Sequence, residues 1–318
     1  MVSQTQLEQL EKSIVKVYSE ARFELTQKIT KELADFVKED KRKKKSLPEK
    51  EYKYWRRTQA SRIAGMKELQ NQLTQSVLNA DKVAAELING HLPIFYSEGF
   101  NYGTYQVEKL TNLNTSFALY DKETVRRLLE DNPDLLPFVE IDETKTKRWS
   151  KAHINSAITQ GVLQGESMDD IAKRLSHVVK MNENSAIRNA RTATMGAENG
   201  GHLGSYQRAR DRGIEVKKRW SCTIDSRTRH SHVLMDGETV DVDKLFSNGV
   251  RYPADPEGRA EEVYNCRCAL VPELVRFPSD DAWKYEMDIE GMSYEEWKEY
   301  HAKKQAEIEE RRKKRVKE

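Results

Sequence analysis

The sequence predicts an α+β protein, mainly long α-helices with a small β-rich C-terminal module and a charged helical tail. Three observations carry this. Apolar residues recur at steps of three and four through most of residues 5–212. From Ile214 the period changes to two, with Ile214, Val216, Lys218, Trp220 and Cys222 alternating with Glu215, Lys217, Arg219 and Ser221, as in a half-buried strand. All three cysteines, Cys222, Cys266 and Cys268, lie in or beyond that changed stretch. Four segments follow: a helical hairpin over 1–92, a helical middle region over 93–213, the β-rich module over 214–277 and the tail over 278–318.

Leu7, Leu10, Ile14, Val17, Ala21, Leu25, Ile29, Leu33 and Phe36 form the stripe of a first long amphipathic helix. It runs into KEDKRKKKSLPEK, where the pattern stops. Ser46 and Glu49 resemble a capping box, with Pro48 inside the first turn of a second helix. That helix carries Trp55, Ile63, Met66, Leu69, Leu73, Val77, Ala84 and Leu87, and Gly90 and Pro93 are expected to end it. Residues 94–140 hold several aromatics and shorter helical patches, interrupted at Asn132-Pro133 and Pro137. Trp149, Ile154, Ile158 and Val162 mark a further helix closed by Gly165. Ser167 caps the next, which buries Ile171, Leu175 and Val178. Residues 184–212 form a helix rich in small residues, where Ala186, Ala190, Ala193 and Ala197 permit close backbone approach. At Gly200-Gly201 a kink is as plausible as continuity.

In the module, Asp236-Gly237 is a hairpin signal between VLM and ETV, and Asn248-Gly249 marks another turn. Val263 to Pro272 reads as a last strand carrying the two close cysteines. After it the chain is charged, and an exposed or partly disordered tail is expected.

Composition excludes several classes. With 37% of residues hydrophobic and 33% charged, elongated helices with wide solvated faces are favoured over one thick globule. A net charge of +2 is not that of a generally basic protein, so basic patches matter more than the total. Three cysteines suit a reducing compartment better than a disulfide scaffold. No basic start leads into an apolar run, and no apolar segment reaches the ~20 residues of a membrane helix. A soluble, cytosol-made protein without a membrane segment is expected.

The sharpest chemical candidate is a structural zinc site of Cys222, His232, Cys266 and Cys268, since zinc favours four tetrahedral thiolate and imidazole ligands. On one strand Cys266 and Cys268 would share a face but sit roughly 6–7 Å apart, so a local turn is needed for both to reach one ion. The competing reading is three small apolar cysteines in a core. A nucleophilic or nuclease reading would enlist His230, His232 and Asp225. Asp225 and Arg229, four apart, equally suit a surface ion pair or a turn contact. Lys41, Arg42, Lys43, Lys44 and Lys45, flanked by Lys38 and by Tyr52, Tyr54, Trp55, Arg56 and Arg57, are candidates for gripping DNA phosphates. The same run equally suits a solvated helix end, and so does RRKKRVK near the C-terminus. No phosphate-binding glycine loop, dinucleotide fingerprint, H-E-x-x-H helix or deaminase signature occurs.

Taken together, ARTATMGAENG, GIEVKKRW, DSRTRHSHVLMDG, the Pro253-Ala254-Asp255-Pro256 turn and the closing NCRC resemble the phage head morphogenesis family, minor head proteins related to the F protein of phage Mu. The resemblance covers roughly residues 150–272 and leaves out the N-terminal hairpin and the tail. It implies a minor component of the virion interior, made in the host bacterial cytoplasm. The partners it implies are the portal protein, capsid or scaffolding proteins and DNA, with a role in assembly, packaging or ejection. Many relatives carry Cys-x-x-Cys before the Asp/Gly turn and a histidine before NCRC. Here that pair falls on Arg229 and His232, so His232 matches a ligand position, Arg229 cannot serve, and Cys222 stands in from the preceding strand. Some relatives add a toxin or enzyme domain after NCRC. The about fifty mostly charged residues that follow here are too few for a catalytic core, so no enzyme is expected.

Overall fold

The computed structural model describes residues 4–114, 118–276 and 289–317. Helices α1 (Gln4–Glu32) and α2 (Ala34–Ser46) are separated by one residue, Leu33, across which the hydrogen-bond ladder persists through Leu33 N to Ile29 O and Val37 N to Leu33 O. The lysine run is therefore helical, and the pattern does not stop before it. Helix α3 (Glu49–Ala64) begins after Pro48, which is its N-cap residue and makes no side-chain cap bond. The expected capping box is absent, because Ser46 is the last residue of α2.

The expected second long helix is broken at Gly65, and α4 (Lys67–Thr111) runs straight through Gly90 and Pro93. A helix-interior proline loses one ladder bond and costs about 3 kcal/mol or more in isolation. Burial of Leu92, Phe95, Tyr96 and Phe100 around it outweighs that cost. Helix α5 (Lys122–Asp131) is capped by Asp121, whose carboxylate accepts from Thr124 N at 2.7 Å. A 3₁₀ turn at Pro133–Leu135 then interrupts the chain as Asn132-Pro133 predicts. Helix α6 (Glu143–Gln164) ends on Gly165 at φ 79°, and Ser167 Oγ accepts from Asp170 N at 3.2 Å to start α7 (Met168–Asp211). Both signals hold. The two helices expected within 168–211 are one, continuous across Gly200-Gly201.

The described residues form two compact units. One comprises residues 8–88 and 139–188. Its core joins Leu10, Ile14, Leu25 and Ile29 of α1 to Leu73 and Val77 of α4, Ile154 and Val162 of α6, and Ile171 and Leu175 of α7. Arg56 is buried in it, donating from Nε to Val162 O at 2.8 Å and pairing with Asp40 at 3.2 Å. That arginine caps the end of α6 and is not available to phosphates.

The other unit holds residues up to 7, 89–138 and from 189 onward. There a Cβ on Gly99 would collide with the Glu198 backbone, and one on Gly201 with Tyr96 O and Phe100 N. The glycines let α4 and α7 touch backbone to backbone. Strand β1 (Glu215–Ser221) is central in an antiparallel sheet of order β2-β1-β3, with β2 (Thr239–Asp241) and β3 (Ala269–Arg276). Its inward residues are Val216, Lys218 and Trp220, in the predicted alternation. Buried Lys218 donates to Arg251 O at 2.8 Å and lies over the Phe246 ring, and burial lowers its pKa to about 8.

Two expectations for the module are corrected. Val233 and Leu234 belong to a short helix, α8 (His230–Leu234), so Asp236-Gly237 joins a helix to β2 and the strand opposite is β1. Gly237, at φ 82°, still makes the turn and donates to Trp220 O at 2.9 Å. Val263 closes the short helix α9 (Ala260–Val263), and β3 starts only at Ala269, after both cysteines. The tail is also corrected. Residues 278–288 lie outside the described residues, but α10 (Tyr294–Lys317) buries Trp297 and His301. Trp297 Nε1 donates to buried Glu108 at 2.7 Å. Its later residues Lys303, Lys304 and Ile308 are exposed. No helix among the described residues is long and apolar enough to cross a membrane.

Candidate metal centre

The segment between α9 and β3 explains why two cysteines one residue apart point to one place. Asn265 takes a left-handed conformation at φ 55°, and Cys266 N bonds back to Val263 O. The chain turns instead of running extended, so the strand spacing that would keep the sulfurs apart does not apply. Helix α7 holds the turn by its backbone. Thr192 Oγ1 accepts from Asn265 N at 3.1 Å. Asn199 Oδ1 accepts from Leu270 N at 2.8 Å while its Nδ2 donates to Cys268 O at 3.2 Å. Asn199 thus brackets Cys268.

His232 comes from the middle of α8 and is almost fully enclosed, with its ring edge-on to Trp220 at 5.3 Å. Its Nδ1 lies 3.7 Å from Cys266 Sγ and 3.4 Å from Cys268 Sγ. Cys222, just past β1, puts its Sγ 3.3 Å from that of Cys268. A tetrahedral zinc with Zn–S near 2.3 Å and Zn–N near 2.0–2.1 Å has ligand atoms about 3.5–3.8 Å apart. The two Nδ1–Sγ separations lie close to that range, the Sγ–Sγ separation of Cys222 and Cys268 is shorter, and the donor set is one zinc favours. His232, Cys266 and Cys268 have all three ligand atoms within 4.8 Å of one another. Cys222 joins this group only through Cys268, so the fourth position is the loosest. All three cysteines are free, and Cys266 and Cys268 also count among the buried residues of the module core.

Electrostatics in the cluster are coupled. Burial, then Cys268, pushes the Cys222 thiol up to about 12. Contact with Cys266, then burial, pushes Cys268 up to about 12, while the Cys268 contact draws Cys266 below the ordinary thiol value. Burial opposes charge on His232, but Cys268 and Glu262 outweigh it and the ring sits above its usual value.

The alternative catalytic set does not assemble. Asp225 has both oxygens held by Arg267 at 2.6 Å and also accepts from Arg227 N at 2.8 Å. Arg267 holds that carboxyl well below the usual range. No histidine is among the contacts described for Asp225, and His230 is exposed. The ion pair expected with Arg229 is not made; Arg229 donates instead to Tyr264 O. In the first unit, Lys41, Arg42, Lys44 and Lys45 are exposed on α2 and Lys43 is half-buried. Arg42 pairs with Glu39 at 3.2 Å. Glu262, Asn199 and Thr192 were missed by sequence reasoning, since a lone polar residue on a helix carries no spacing signal.

Residues 152–271 match the family described as Phage Mu protein F like protein. Over that stretch the chain is similar to this family. The Mu F-like region runs from α6 into β3 and holds all four candidate ligands with Glu262, Asn199 and Thr192. Among curated proteins the chain is 27% identical over 198 residues to the minor head protein GP7 of Bacillus phage SPP1. It is 28% identical over 229 residues to the NAD(+)--arginine ADP-ribosyltransferase EFV of Enterococcus faecalis. An uncharacterized protein of Bacillus subtilis, YqbB, is 27% identical over 125 residues, 37% of this chain and 40% of its own. The matches to GP7 and EFV cover 61% and 69% of this chain but 64% and 46% of those two relatives, less than two thirds of either. No solved structure matches the chain.

Proposed function

We propose that the chain is a phage minor head protein, a structural virion component that works beside the portal and the packaged DNA, with its module closed by one structural zinc. One observation supports this above the others. The Mu F-like region, over which the chain resembles a minor head protein, also holds the group of His232, Cys266 and Cys268, with Cys222 Sγ 3.3 Å from that of Cys268. Four protein ligands leave no position for a water or substrate, so such an ion contributes folding energy and no turnover. It would tie together the end of β1, α8 and the turn before β3, three pieces far apart in sequence. Expected partners are the portal, capsid or scaffolding proteins and DNA, with the protein inside the capsid and active in assembly, packaging or ejection.

Metal analysis of the purified chain should find close to one zinc per molecule, and chelation should lower the melting temperature. A metal-free chain of unchanged stability would refute the staple. Cross-linking in purified particles should join this protein to the portal, and its absence from particles would remove the virion assignment. The transferase similarity calls for one control. The match covers 46% of that relative, so we do not carry its named activity over to this chain. No ADP-ribose should pass from labelled NAD to arginine-containing protein, and measurable transfer would overturn the non-enzymatic reading.

A further inference from the structure

Glu262 lies on α9, and its Oε2 is 3.0 Å from Nε2 of His232. The opposite ring nitrogen, Nδ1, faces the Cys266 and Cys268 sulfurs. A neutral imidazole has one N–H and one lone pair, and the hydrogen bond made by one nitrogen decides the role of the other. With the carboxylate in place the ring is enclosed, so its Nε2 partner is Glu262 and not bulk water. Ser231 Oγ donates to the same oxygen of Glu262 at 3.3 Å, which restrains the carboxylate.

We infer that Glu262 is the positioning residue of the metal centre: it accepts the His232 Nε2 proton and so commits the Nδ1 lone pair to the ion. The inference rests on the zinc reading for its second half only; the tautomer belongs to the neutral ring of the metal-free chain as well. A carboxylate behind a ligating histidine fixes the ring and raises its basicity, and removing such a partner typically weakens metal binding ~10- to 100-fold. The location suits that purpose. Glu262 stands four residues before Cys266, so the short helix that leads into the cysteine turn also orients the histidine from α8.

The test uses the full chain with zinc as the probe. Chelator competition should show Glu262→Ala binding zinc ~10- to 100-fold more weakly, with Glu262→Gln close to the native value because its amide oxygen still accepts the N–H. Circular dichroism should show all three chains folded. Nitrogen-15 spectra of the histidine rings should place the proton of His232 on Nε2 in the native chain and in the glutamine variant, and a mixture of tautomers in the alanine variant. Equal zinc affinity in the alanine and native chains would overturn the role of Glu262. If the native chain takes up no zinc, the zinc reading fails separately. The spectra of the metal-free chain then decide, and a native His232 protonated on Nδ1 or populating both tautomers sinks the assignment.

Discussion

Asp81 on α4 is 8% exposed, yet it carries a carboxylate. Tyr18 donates to it at 2.6 Å and Asn182 at 3.0 Å. These bonds favour the charged form, but burial is the larger effect and raises the pKa from 3.8 to about 6. A folded pKa above the unfolded one means the native state binds more protons between the two values. The contribution to stability is then fully present below about pH 4 and is lost as pH rises through about 6. A shift of this size corresponds to about 3 kcal/mol. Asp81→Asn keeps an acceptor for Tyr18 and removes the titration. Denaturant unfolding at pH 4 and pH 7 should show a stability difference about 2 kcal/mol more favourable to the higher pH in the variant than in the native chain. An identical pH dependence in both would mean that Asp81 is hydrated in the folded state. At the same scale, the candidate ligands stood out in the sequence because all three cysteines and two of the seven histidines fall within residues 214–272. Glu262 and Asn199 were not, because their roles depend on a turn at Asn265 and on a helix brought in from far upstream.

Elements were legible where a local signal acts alone and illegible where packing overrides it. Gly165 and Gly213 end helices with positive φ, and Asp121 and Ser167 cap them, all by bonds made within a few residues. Pro93 failed as a breaker because Leu92, Phe95, Tyr96 and Phe100 around it are buried, and of the two courses open at Gly200-Gly201 the helix takes continuity, with Gly201 against the α4 backbone. This supplies a paired prediction. Gly201→Ala places a methyl against Tyr96 O and Phe100 N and should cost about 1–3 kcal/mol or more by overpacking. Gly90→Ala, exposed on the same α4 with nothing near its Cβ position, should stabilise by about 1 kcal/mol through helix propensity. Thermal unfolding of the two variants distinguishes tight packing from mere helical permissiveness, since two gains would show that the contact relaxes freely. The strand alternation of β1 was readable for the opposite reason, as one face is buried and the other is not. The helical stretch at Val233 and the cysteine turn have no period of their own, and both were read as strand.

Across the whole chain the charge is nearly balanced at +2, so any affinity for DNA must come from a local patch rather than from the total. The candidate patch is the second half of α2, where Lys41, Arg42, Lys44 and Lys45 are exposed. A competing explanation needs no DNA. Lys43, Lys44 and Lys45 fill the last turn of α2, where cations offset the partial negative charge of the helix end by about 0.3–1 kcal/mol each. The two explanations separate experimentally. Replacing residues 41–45 by glutamine should lower the melting temperature slightly if the helix end is their main purpose, and should leave any DNA binding untouched. If they grip phosphates, each contact releases counterions and adds about 0.9 to the slope of log affinity against log salt for duplex DNA. The five replacements should then flatten that slope by up to about 4.5 and weaken binding most at low salt. An unchanged slope with an unchanged affinity would leave α2 as a solvated helix end and remove DNA from the partners assigned to it.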